Sequence, residues 1–186
     1  MRPADNPFAS SRIDGLAYRF GHGDLTMIVE RLARHGGRGA VVGPHGSGKT
    51  TLLDTLASRL AGEPVRVRLD AATRHALRTA VAALPTPVEA HHTLLIDGAE
   101  RLGPIDWWRL LRRIRHAGAV VTTSHRTGRL PTIHTCVTTP ELLRRLVREL
   151  DPATAASVDI GDLFRRHRGD IRSCFRELYD RCSNRP

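Results

Sequence analysis

Gly39-Ala40-Val41-Val42-Gly43-Pro44-His45-Gly46-Ser47-Gly48-Lys49-Thr50-Thr51 is the stretch on which the reading of this chain turns. Residues 43–50 fit the pattern G-x-x-x-x-G-K-[ST] at every fixed position. A short apolar strand precedes them, and a helical pattern over about 49–60 follows. The glycines let the backbone curl so that successive N–H groups point inward at an anion. The start of the following helix adds its unpaired N–H groups and the positive end of its dipole. The spacing therefore predicts a phosphate cradle built from Gly43, Pro44, His45, Gly46, Ser47, Gly48, Lys49, Thr50 and Thr51. Lys49 would reach the β- and γ-phosphates of a nucleoside triphosphate, and the Thr50 hydroxyl would take a place on Mg²⁺.

Composition strengthens the reading of Lys49. The 186 residues carry 29 basic side chains, of which 28 are arginine and one is this lysine. A compact ammonium is retained at the one position where a planar guanidinium would not serve. The formal charge of +10 fits an acidic partner such as nucleic acid, and it equally fits arginine-rich solvated faces.

Working outward, Leu94-Leu95-Ile96-Asp97 ends a continuous apolar run from His92, as a strand buried on both faces of a parallel sheet should. Asp97 there is either a second Mg²⁺ partner, through water, or the first residue of an Asp-Gly turn. The residue after Asp97 is Gly98, so the nearest carboxylate able to act as general base is Glu100, which otherwise pairs with Arg101. Further elements are read as helices at 25–33 (capped by Asp24), 71–84, 104–116, 140–150, 162–167 and 170–182. Further strands are read at 64–69, 118–123 and 135–137, and residues 1–23 as an irregular arm. Strands alternating with helices predict a parallel α/β sheet. The helices-only pattern after Thr139 predicts a small appended unit.

No 18-residue apolar stretch is present and the first residues lack a signal-peptide core, which points to a cytoplasmic protein. Cys136, Cys174 and Cys182 form no CxxC pair, which argues against a zinc site and for reduced thiols. His91, His92 and His45 read as solvated or capping residues. Phe8, Tyr18 and Phe20 in the arm are candidates to flank an adenine, the alternative being an arm that is disordered or packs on the core.

From about Gly23 to Tyr179 the chain resembles the AAA+ ATPases, particularly their clamp-loader-like and DNA-transaction branches. Residues 43–50 and 94–97 look like the Walker A and Walker B motifs. The strand ending Thr122-Thr123-Ser124-His125 is similar to the family's sensor 1 element, with Thr123 or Ser124 the nearest match and His125 a further candidate. Gly169-Asp170-Ile171-Arg172 is similar to sensor 2, which would place Arg172 at the γ-phosphate. Thr138-Thr139-Pro140-Glu141-Leu142 is similar to the start of the family's lid. The resemblance implies an α/β fold of the P-loop NTPase kind, a three-layer parallel sheet with a small C-terminal helical lid. Its expected parts are an arm at 1–22, a core at 23–139 and a lid at 140–186. It also implies ATP as ligand, Mg²⁺ as cofactor, hydrolysis by Glu100 with Thr123 and Arg172, a protein or nucleic-acid partner, and oligomers. ATP is favoured over GTP by this resemblance and by the lack of an [NT]-K-x-D motif. The chain departs from the family pattern in lacking a glutamate directly after Asp97 and a clear arginine finger, although Arg126 and Arg129 lie where one is sought. A small-molecule or nucleotide kinase shares the same loop, and a barely hydrolysing nucleotide switch is a third reading.

Overall fold

The computed structural model describes residues 5–21, 23–69 and 73–184. These fall into two compact units, and the chain passes between them more than once. One comprises His22–Gly43 and Lys49–Cys136; the other comprises Met1–Gly21, Pro44–Gly48 and Val137–Pro186.

The first unit is α/β. Its elements in chain order are α2 (Leu25–Arg34), β1 (Arg38–Val42), α3 (Lys49–Ala57), β2 (Glu63–Arg68), α4 (Arg74–Ala82), β3 (His92–Asp97), α5 (Pro104–Arg113), β4 (Ala119–Ser124) and β5 (Thr132–Thr135). The five strands form one sheet in the order β2-β3-β4-β1-β5, and every neighbouring pair is parallel. Parallel strands need crossover connections; helices α3, α4 and α5 supply them from β1 to β2, β2 to β3 and β3 to β4, while a segment without a helix, residues 125–131, leads from β4 to β5. On one face, Val67, Leu94, Ile96 and Val120 pack with Leu77 of α4 and with Leu110 and Ile114 of and just after α5. Residues of alternate parity point the other way, toward α3 against β1, β3 and β4 and α2 against β1 and β5. The architecture is thus helix–sheet–helix. Asp24 caps α2 by accepting from the Met27 amide at 3.0 Å.

The last strand differs from the expectation of 135–137. The edge pairing begins earlier, with the Ala40 amide on the Pro131 carbonyl at 2.8 Å, and ends with the Cys136 amide on the Val42 carbonyl at 2.7 Å. Val137, whose apolar character suggested the strand, is instead 64% exposed. The helix expected at 71–84 occupies Arg74–Ala82, and its expected start at Ala71 lies outside the described residues.

The second unit is helical: α1 (Ser10–Asp14), α6 (Pro140–Leu150), α7 (Pro152–Ser157), α8 (Ile160–Arg166) and α9 (Ile171–Ser183). Its core joins Leu143, Val147, Leu163, Phe175 and Leu178 to Phe8. Phe8 is 1% exposed and its ring lies 6.1 Å from that of Phe175. Asn6 ties the arm down: its Nδ2 donates to the Tyr179 carbonyl and the Ser183 hydroxyl, both at 2.9 Å, and its Oδ1 accepts from the Phe8 amide. The arm expected to be irregular therefore carries a helix and belongs to this core, which removes Phe8 as a ring for an adenine. All three cysteines are buried, and burial pushes the Cys174 thiol up to about 11. No helix among the described residues is long and apolar enough to cross a membrane.

Candidate functional site

In the α/β unit Gly43, Lys49, Thr50, Asp97, Glu100 and Thr123 lie at the carboxyl ends of the parallel strands, the usual place for ligands in open sheets of this kind. β1 leads through Gly43, whose amide donates to the Ser124 carbonyl at 3.1 Å. The turn that follows, Pro44–Gly48, belongs to the helical unit and holds Gly46 at φ 67° and Gly48 at φ 82°. The Ser47 hydroxyl closes it on the Pro44 carbonyl at 2.9 Å. A Cβ on Gly46 would stand 2.0 Å from the Asp170 carboxylate and 3.0 Å from the Arg172 amide, so both conformation and space demand glycine there. Tyr18 lies against Gly48, 3.3 Å from where its Cβ would stand, and meets Phe20 edge-on at 5.0 Å. Pro44 and His45 are exposed, while Ser47 is buried.

α3 opens on Lys49. Its Nζ donates to the Gly43 carbonyl at 2.7 Å and lies 3.2 Å from His125 Nδ1. The Thr50 hydroxyl donates to Asp97 Oδ2 at 2.8 Å. The other oxygen, Oδ1, accepts from the Thr123 hydroxyl, which in turn accepts from the Gly98 amide at 2.9 Å. Register explains the meeting: Ile96 pairs with Thr122, so Asp97 and Thr123 stand abreast. β4 lies between β1 and β3, and it is the strand that supplies Thr123. Of the three candidates at the end of β4, Thr123 faces the carboxylate, Ser124 closes a local turn with Arg126, and His125 lies by Lys49 and Glu100. Thr51 is half-buried on α3 and its carbonyl accepts from the Thr55 hydroxyl at 2.9 Å.

Gly98 has φ 83°, and a Cβ there would stand 2.9 Å from the Leu69 carbonyl. A glutamate directly after Asp97 would be strained and crowded, so the carboxylate sits on the next turn, a 3₁₀ turn at Ala99–Arg101. Glu100 does not pair with Arg101. Its Oε1 lies 3.2 Å from His125 Nε2, and its Oε2 is buried without a protein donor. Arg129 fixes this turn, donating to the Ala99 carbonyl at 2.8 Å and to the Leu102 carbonyl, with its guanidinium 5.0 Å over the Trp107 ring. Burial lowers the Arg129 pKa, and the nearby Glu100 charge partly restores it. Arg129 is thus committed to the turn, while Arg126 is exposed. Arg172 is exposed on the first turn of α9, in the helical unit.

A group that sequence spacing does not reveal is Glu63, His91 and His92, whose ligand atoms lie within 4.8 Å of one another. The Glu89 amide donates to His92 Nδ1 at 2.9 Å. That makes Nδ1 the acceptor and puts the proton of the neutral ring on Nε2, leaving no lone pair for a metal. His92 is a turn cap. No protein-family model matches the chain, and no curated protein matches it.

Proposed function

We propose that this chain is a P-loop ATPase resembling a minimal AAA+ protein, which binds Mg-ATP on residues 43–50 and hydrolyses it to drive a switch. The observation that carries the reading is the double hydroxyl grip on Asp97. Thr50, one residue after Lys49, takes one oxygen at 2.8 Å, and Thr123 of the intervening strand takes the other. A turn that merely ended a strand would need no such convergence. The set is chemically right for Mg²⁺, a hard cation that takes one or two carboxylates, hydroxyls and substrate phosphates and keeps several waters. Thr50 and Asp97 would hold that ion, which supplies charge neutralisation at the phosphates. Lys49 exchanges the Gly43 carbonyl for phosphate oxygens. Gly46, Ser47 and Gly48 turn the loop's amides toward them. Glu100, with one carboxylate oxygen buried and lacking a protein donor, accepts a proton from the attacking water.

The helical unit is proposed as the lid that moves with nucleotide state, with Arg172 as its reporter of the γ-phosphate, on the strength of the family resemblance. The partner is proposed to be acidic, nucleic acid first. Arg144, Arg145 and Arg148 lie exposed together on α6, and the chain's formal charge is +10.

The test is a melting scan with and without Mg-ATP. Nucleotide at about 100 times its Kd stabilises the fold by about 2.7 kcal/mol, and Lys49→Ala is expected to abolish the shift. An unchanged shift in that variant would overturn the reading. Incubation with labelled ATP and water separates the ATPase from a kinase, since phosphate transfer only in the presence of an acceptor would favour the latter.

A further inference from the structure

The outer face of α5 is partly apolar, where a surface helix is ordinarily polar. Ile105 is 67% exposed and Trp108, one turn further on, is 56% exposed. Arg109 and Arg112 complete a row at i, i+3, i+4 and i+7, the spacing that sets side chains on one face of a helix. The Arg112 guanidinium lies 4.8 Å over the Trp108 ring. Arg109 also lines a groove of about 160 Å³ between α4 and α5. Val81 and Ala82 of α4, with Leu102 just before α5, give that groove its apolar lining. Arg78 and Arg113 join Arg109 there, against the single carboxylate of Asp106. Asp106 lies 3.6 Å from Arg78 and 3.7 Å from Arg109, too far for a hydrogen bond to either. Arg113 is committed to the Leu84 carbonyl and the Thr86 hydroxyl, both at 2.8 Å. Arg78, Arg109 and Arg112, all exposed, are the cations of this face that point to solvent.

We propose that this face docks an acidic segment of a partner protein, which sets one apolar side chain in the α4–α5 groove, a second against Ile105 and Trp108, and carboxylates on Arg78, Arg109 and Arg112. All of these residues belong to the α/β unit, and none takes part in the proposed nucleotide site. The groove is smaller than the clefts of about 300–1,000 Å³ that enclose a whole small ligand, so it suits one side chain of a larger molecule. Tryptophan and arginine in the middle of an apolar patch are where protein interfaces concentrate their binding energy. A guanidinium pairs with a carboxylate through two parallel bonds, which Asp106 does not supply at its distance. Nucleic acid fits this face less well, because its phosphates would meet Asp106 and an apolar lining with no donor to give. A second copy also fits less well. An isologous contact would set Arg109 and Arg112 against the same residues of the other chain, and each chain already carries +10.

The experiment selects a displayed library of short random peptides on the full chain, without nucleotide. Enriched sequences are then synthesised with a fluorescein label and titrated by anisotropy. They are expected to combine Asp or Glu with large apolar residues. Trp108→Ser and Arg109→Glu are each expected to weaken binding about tenfold or more, the scale of a central interface residue. Both positions are exposed, so both variants should melt with the parent; should Trp108→Ser not fold, Ile105→Ser takes its place. Exchanging a glutamate of the peptide for lysine should recover binding to Arg109→Glu, a rescue that mere damage to α5 would not allow. No enrichment, enriched peptides without acidic residues, or peptides indifferent to both variants would overturn the inference. So would self-association or DNA binding that both variants abolish, since a second copy or a nucleic acid would then be the occupant.

Discussion

Thr123→Val is the sharpest probe of the site, because it removes two bonds and almost no volume. The Thr123 side chain is 1% exposed, donates to Asp97 Oδ1 and accepts from the Gly98 amide at 2.9 Å. A hydrogen bond to a charged group is worth about 1.5–3 kcal/mol, and a buried donor left unmade costs about 1–3 kcal/mol. Asp97 is only half-buried, so water recovers part of the first loss, and the expected total is about 2–4 kcal/mol. Valine fills the same space, so no cavity contributes. Both tryptophans, Trp107 and Trp108, lie on α5 in the α/β unit, so their fluorescence reports the unfolding of the unit that holds Thr123. With a urea slope of about 2 kcal/mol per molar, the midpoint should fall by about 1–2 M. Thr123→Ser keeps the hydroxyl and should recover most of the loss. A valine variant within about 0.5 kcal/mol of the parent, the usual range for an inconsequential substitution, would refute the bridge. A serine variant as weak as valine would refute it too.

Nucleic-acid binding, if it runs along α6, should weaken steeply with salt, and replacing Arg144, Arg145 and Arg148 by glutamine should flatten the slope of log K against log salt. Each lost phosphate contact is worth about 0.9 in that slope; a fluorescence-anisotropy titration showing no binding to duplex DNA at about 50 mM salt ends the idea. In the helical unit, Glu177 accepts from Arg166, His167 and Arg181. Its burial works to raise the pKa, but those three bonds win and hold it at about 2. A depressed carboxylate pKa contributes stability above its unfolded value of roughly 4.3, lost as pH falls toward the folded one. Glu177→Gln should therefore melt below the parent at pH 6, with the gap narrowing below about pH 4 and closing only near the folded value of about 2, as read by circular dichroism; a constant gap would show that the cluster's charge is not the cause.

The fold was legible where a signal is local. The positions of β1 to β4, the Asp24 cap and the loop at 43–50 follow from periodicity, capping chemistry and motif spacing, which act over a few residues. Edges were harder. The position of β5 depends on which residues of 131–137 meet β1, and an apolar Val137 cannot announce that it faces solvent. The fate of the arm depends on Phe8 meeting Phe175 and Asn6 meeting Tyr179, contacts between residues at opposite ends of the chain. In the site, the places of Lys49 and Thr50 at the start of α3 and of Asp97 at the end of β3 were legible because motif spacing sets them. The link from His125 to Glu100 was not, because it joins two turns through a register that only the assembled sheet sets. The same holds for Arg129, sought as a finger and found bound to the Glu100 turn. Gly98, read as a missing glutamate, proved to be a backbone requirement.

The site's polar groups already satisfy one another, and that decides what kind of binding it can support. Lys49 holds a carbonyl at 2.7 Å, Thr50 holds a carboxylate at 2.8 Å, and His125 lies 3.2 Å from both lysine and glutamate. On the proposed reading a nucleotide would exchange bonds rather than add them. The exchange would be favourable because a neutral carbonyl is replaced at the ammonium by a charged phosphate, and charge-assisted bonds are roughly twice as strong as neutral ones. A nucleotide lacking the γ-phosphate would make a weaker claim on Lys49, so on that reading the exchange distinguishes triphosphate from diphosphate.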